Sequence, residues 1–71
     1  MSIDEKMEFI EKVIHAPAYS LQEDTLLSSL NGWESLNILN LQIDLIAIGI
    51  NVSDDELKNC ETVGDVCNLM V

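Results

Sequence analysis

Gly32-Trp33-Glu34-Ser35-Leu36 is the stretch of this chain whose residue types promise chemistry. A serine stands where loop residues give way to a long apolar run, with an acid before it and a leucine after it. Such a serine can be a nucleophile, a helix cap or a point of covalent modification. The first use needs a neighbouring base and an oxyanion hole. The chain has one histidine, His15, and no glycine-rich elbow around Ser35, so no catalytic residue is assigned and the chain is expected not to be an enzyme. Cap and modification remain, and both require Ser35 to open a helix. The other reactive side chains are two thiols. Cys60 and Cys67 lie far in sequence from His15 and match no zinc spacing, so no metal site is expected. The N-terminus, Met1-Ser2-Ile3-Asp4-Glu5, is acidic where a signal peptide would be basic. A cytoplasmic location with reduced, structural cysteines follows as an expectation.

The elements that would position these groups are helices. Ser2 to Glu5 has the S-x-x-E form of a capping box, and Ile3, Met7, Ile10, Val13 and Ile14 recur on one face. That spacing predicts a first helix over residues 3–15, stopped by Pro17, with His15 in its last turn. From Ala16 to Trp33 no period is sustained. Pro17, Ser20, Asp24, Ser28, Ser29, Asn31 and Gly32 are loop formers, and Leu21, Leu26, Leu27 and Leu30 are expected to act as pegs into the core. A loop this long inside a small domain is often functional.

The second helix is expected to begin at Ser35 or just before it, with Asn31 and Glu34 as a capping pair and Gly49 as its stop. Leu36, Leu39, Ile43 and Ile46 form one stripe, Ile38, Leu41, Leu45 and Ile48 fill much of the rest, and Asn37, Asn40 and Ala47 are expected to be exposed. A helix apolar nearly all round is either buried or covered by a partner. The isoleucines would also suit a strand, but helical length and the lack of a second strand argue against one. Ser53-Asp54-Asp55-Glu56 predicts a short third helix over 54–59. Thr62 caps a last one, in which Val63, Val66, Cys67 and Met70 repeat at three and four with Asp65 in the first turn. The expected fold is all-α, one domain over residues 1–71, a small four-helix bundle with a long loop between its first two helices.

Composition narrows the function classes. Three basic residues, Lys6, Lys12 and Lys58, stand against thirteen acidic ones for a net charge of −10, which excludes binding along a nucleic-acid backbone. A basic protein partner complements such a surface, although acidity also serves simply to keep a small domain soluble. The 48% hydrophobic content supports a real core. Asn37, Asn40, Gln42 and Asp44 interrupt the longest apolar run, so no membrane span is expected.

Glu34-Ser35-Leu36 opening an apolar helix resembles the Asp-Ser-Leu motif of acyl carrier proteins, whose serine receives a 4′-phosphopantetheine arm. The lead-in from Asp24 to Trp33 is similar to the loop before that motif in stand-alone carriers, where a tryptophan comes two residues before the serine. Ser53-Asp54-Asp55-Glu56-Leu57 resembles the family's third helix, and Thr62-Val63-Gly64-Asp65 the T-V-x-D start of its fourth. The likeness spans nearly the whole chain, and the order of the segments makes it more specific than a three-residue motif alone.

The resemblance implies a free-standing, monomeric carrier of acyl-carrier fold with Ser35 as the attachment point and Glu34 and Leu36 as motif support, Leu36 packing beneath the serine. Its implied partners are a phosphopantetheinyl transferase, an acyl-loading ligase or transferase, and downstream synthase enzymes of a fatty-acid, polyketide or related pathway. Partner recognition is placed on Trp33, Asn37, Ile38, Asn40 and Leu41, with Trp33 also a candidate plug over the helix start. An acyl pocket is placed at Leu41, Ile43, Leu45 and Val63, positions that core packing explains equally well. The chain departs from the family in its second helix, where Asp44 is the one acid after Glu34. Recognition by shape and apolar contact is therefore expected there, with the acidic first and third helices steering. An unmodified adaptor domain acting only through protein contacts is the alternative.

Overall fold

Short-range side-chain spacing starts three of the four helices by one device. In the computed structural model, which describes residues 1–70, α1 spans Ile3–Ile14, α2 Ser35–Ala47, α3 Asp54–Lys58 and α4 Val63–Leu69. Ser2 accepts from the Glu5 N–H at 3.2 Å while Glu5 accepts from the Ser2 N–H at 3.0 Å. Ser53 with Glu56 and Thr62 with Asp65 repeat this reciprocal capping box at α3 and α4. The start of α2 is different. Its cap residue, Glu34, makes no side-chain capping bond, and the expected Asn31–Glu34 pair does not form. Asn31 is caught in the preceding turn, where the Trp33 N–H donates to the Leu30 carbonyl, and so does not reach the cap position.

The helix ends correct two expectations. α1 stops at His15, which takes the left-handed conformation (φ 60°) two residues before Pro17, so the proline is not the stop and the helix is one residue shorter than its pattern suggested. α3 likewise ends one residue early, at Lys58. Gly49 ends α2 as expected. At φ 91° it allows the Ile50 N–H to reach the Leu45 carbonyl at 2.9 Å and its own N–H to reach that of Ile46 at 3.0 Å, a Schellman motif.

The long connection between α1 and α2 contains a 3-10 turn at Leu27–Ser29 and is fastened by backbone bonds to the start of α4. The Leu27 N–H donates to the Glu61 carbonyl, the Val63 N–H to that of Thr25, and the Gly64 N–H to that of Glu23, at 2.9, 3.0 and 2.8 Å. Leu26 and Thr62 form an isolated antiparallel bridge within this clip. Leu21 and Leu27 enter the core and Leu30 is half-buried, but Leu26 is exposed and is not a peg. Its backbone is engaged at the bridge, and the alternation of extended backbone sends its side chain outward while Leu27 goes in.

One shared core results. α1 packs on α2 and α4, and α2 packs on α3. Ile10 and Ile14 from α1, Leu41 and Leu45 from α2, Leu57 from α3 and Val66 and Met70 from the last segment meet there. Burying each such side chain contributes about 1.5–3 kcal/mol. The architecture is a small all-helical bundle, and among the described residues there is no strand and no helix long and apolar enough to cross a membrane.

Candidate functional site

The turn that delivers Ser35 is fixed from both sides. Gly32 lies directly against the end of α1. A Cβ at this position would run into the Ile14 carbonyl oxygen and stand 2.9 Å from Ile14 Cβ, so only glycine permits the contact. From the other side, Asn37 Nδ2 donates to the Gly32 carbonyl oxygen at 2.9 Å, and the Glu34 N–H donates to the same carbonyl at 3.1 Å. Trp33 is half-buried and packs against the core between these anchors. The turn is therefore bonded and packed before the helix begins.

Ser35 is the first residue of α2 and is exposed. The first intrahelical bond runs from the Ile38 N–H to the Glu34 carbonyl at 2.9 Å, and no side chain caps the end. The N–H groups of Ser35, Leu36 and Asn37 therefore have no protein acceptor among the described residues, and they lie at the positive end of the helix dipole. Phosphate oxygens on Ser35 would meet donors and a favourable field. The Ser35 hydroxyl has no hydrogen bond to His15 or to any other described residue, so the base that a nucleophilic serine uses is not paired with it here.

The two faces of α2 correct several assignments. Leu36 does not pack beneath Ser35, for it is 63% exposed. Leu39, Ile43 and Ile46 continue from it along one outer stripe, all about half exposed. Asn37, Ile38 and Leu41 are buried and cannot contact a partner, whereas Asn40 is exposed and Trp33 keeps a half-exposed surface. Asn37 turns inward because its amide is needed at Gly32, and Ile38 and Leu41 follow on the same inner face. Of the acyl-pocket positions, Ile43 is 55% exposed and lies outside the core, while Leu41, Leu45 and Val63 are fully buried within it.

Glu34 is exposed beside the serine and places a carboxylate at the helix start. Both thiols are free. Burial pushes the Cys60 and Cys67 thiols above their ordinary range, keeping them protonated at neutral pH, and Cys60 donates to the Glu56 carbonyl at 3.3 Å. Among the described residues no group of three or more His, Cys, Asp or Glu is placed to hold a metal ion. The feature that sequence reasoning missed is the inward role of Asn37. Its signal was a lone amide two residues after the serine, on a helix otherwise rich in apolar residues.

The chain matches no family model, no curated protein and no solved structure. The functional reading rests on its own residues and their geometry.

Proposed function

We propose that the chain is a stand-alone acyl carrier protein that holds 4′-phosphopantetheine on Ser35 and catalyses no reaction itself. The observation that carries this reading is the exposed Ser35 hydroxyl at an uncapped helix start, on a turn clamped by Gly32 and Asn37. In the modification, Ser35 Oγ forms a bond to the pantetheine-side phosphate of coenzyme A. The remaining nucleotide bisphosphate leaves, and the hydroxyl proton passes to a base on the transferase, whose magnesium ion assists. Once attached, the group supplies a thiol that carries an acyl chain as a thioester to loading and synthase enzymes of a specialised pathway.

This chain's residues have three tasks. The free N–H groups of Ser35, Leu36 and Asn37 steady the phosphodiester. Gly32 and Asn37 hold the attachment point still while partners approach. Leu36, Leu39 and Ile43, which run along α2 from the serine with the exposed amide of Asn40 beside them, offer those partners a largely apolar surface with no charge of its own. A sheltered acyl chain would have to displace Leu41, Leu45 or Val63, because these side chains are fully packed.

That same uncharged stripe also favours an unmodified adaptor, and Ser35→Ala separates the two readings. Intact mass after incubation with coenzyme A, magnesium and broad-specificity phosphopantetheinyl transferases should show one added arm on the wild type and none on Ser35→Ala. A folded wild type that gains nothing from several transferases would overturn the carrier reading in favour of the adaptor.

A further inference from the structure

The outward side of α2 has an apolar repeat that the bundle leaves unused. Leu36, Leu39, Ile43 and Ile46 follow one another at three, four and three residues and are 63, 45, 55 and 49% exposed. This is the spacing of a helix that pairs with another helix, where each side chain fits a hole formed by four residues of the facing one. The core is served by Ile38, Leu41 and Leu45, on the opposite side of α2. That packing already holds the helix in shape, so a facing helix would not have to nucleate it.

Charge selects what can cover this stripe. The chain has 13 acidic residues against 3 basic ones, yet none stands in the stripe or at its edges. Asn40 and Ala47 border it on one side, and Gln42 on the other, where its amide donates to the Val52 carbonyl at 3.2 Å. Asp44, the one acid within α2, lies a further step around the helix. A basic partner would be drawn to the acidic first turns of α1 and α3 and would gain nothing from charge here. A second copy of the same face does fit. Its side chains repeat at the same three-four-three spacing, and two such faces meet without bringing like charges into the contact.

We propose that two copies of this chain pair through the outward side of α2, each packing Leu36, Leu39, Ile43 and Ile46 against the same residues of the other about a two-fold axis. The pairing uses no modification of Ser35 and does not depend on the carrier reading. A specific interface takes about a tenth of a small protein's surface, here about 440 of 4397 Å² per copy, and the four half-exposed side chains with their edge residues are of that size. The total stays below the about 1,200 Å² of a standard interface, so the dimer is weak and separates at about micromolar concentration. Each copy keeps its net charge of −10 outside the contact, so pairing tightens as salt screens the repulsion.

The test is sedimentation equilibrium of the full chain from about 10 μM to about 1 mM, with amide chemical shifts followed over the same dilution. The mass should rise from monomer towards dimer, with shifts at Leu36, Leu39, Ile43 and Ile46 and none at Ile10 or Val66. Raising sodium chloride from about 20 mM to about 0.5 M should tighten the pairing, whereas association driven by opposite charge would weaken. Ile43→Glu puts a carboxylate from each copy into the contact and should weaken pairing at least about ten-fold while circular dichroism shows the helices intact. Ala18→Glu adds the same charge on an exposed turn outside α2 and should weaken it less than about two-fold. Ser35→Ala should pair like the wild type whatever the outcome of the transferase experiment. A monomer at every concentration, unchanged pairing in Ile43→Glu, an equal loss in Ala18→Glu, or weakening by salt would each overturn the proposal.

Discussion

Asn37 and Gly32 form one unit, because the amide of the first bonds the carbonyl of the second while the second rests on Ile14. Removing the amide leaves a part-buried carbonyl with one donor fewer, and adding a methyl at Gly32 forces α1 and the turn apart. Asn37→Ala should cost about 1–3 kcal/mol, and Gly32→Ala about 1–3 kcal/mol or more, both read from urea unfolding midpoints. Under conditions where each variant remains folded, the rate of Ser35 modification should also fall, because the hydroxyl is no longer held in one place. Wild-type stability and rate in Asn37→Ala would show that the turn holds itself.

At the scale of the element, the reciprocal caps tie helix starts to pH. The Asp65 carboxylate accepts from the Glu61 and Thr62 N–H groups at 3.1 and 3.2 Å, and these bonds hold it below its ordinary value of 3.8. Glu5 is held below 4.5 in the same way, by the Ser2 N–H and hydroxyl. A carboxylate whose folded value is depressed contributes stability that is complete above the unfolded value and is lost as pH falls through the folded one. Helical content should therefore decline on acidification below about pH 4. Asp65→Asn should lower stability at neutral pH and flatten that acid limb, as followed by circular dichroism. An acid limb of unchanged slope in Asp65→Asn would assign the transition to other carboxylates. Of the five-residue α3, little would form alone, and its box with Ser53 acts only together with the burial of Leu57.

For the whole molecule, α2 has two apolar faces with different tasks. Leu41 is fully buried, so Leu41→Ala should cost about 2–5 kcal/mol. Leu39 is on the outer stripe, so Leu39→Ser should stay within about 0.5 kcal/mol of wild type. If the stripe guides partners to Ser35, Leu39→Ser should nevertheless reduce transferase kcat/KM about five-fold, corresponding to about 1 kcal/mol. Parallel measurement of thermal unfolding and transferase kinetics checks both. Equal stability losses in the two variants would mean that the outer stripe is also packed.

The sequence alone was enough for most features set within one or two turns, the failed Asn31–Glu34 cap and the stop of α1 at His15 excepted. The capping boxes at Ser2 and Ser53 and the Thr62 cap need residues at most three apart, Gly49 needs its own φ, and the start of α2 at Ser35 needs a change from loop formers to helix formers; all were legible for that reason, although the reciprocal role of Asp65 at Thr62 was not. Which face of α2 turns inward was not legible, because leucines and isoleucines lie nearly all around it and its pattern has no strong preferred side. That choice belongs to contacts distant in sequence, namely the packing of α2 on α1 and α3 and the demand of Gly32 for the Asn37 amide. The same holds for the clip from residues 23–27 to the start of α4. Backbone bonds between residues 34 to 41 apart leave no periodic trace in a chain, since they depend on where the elements meet and not on what each element is.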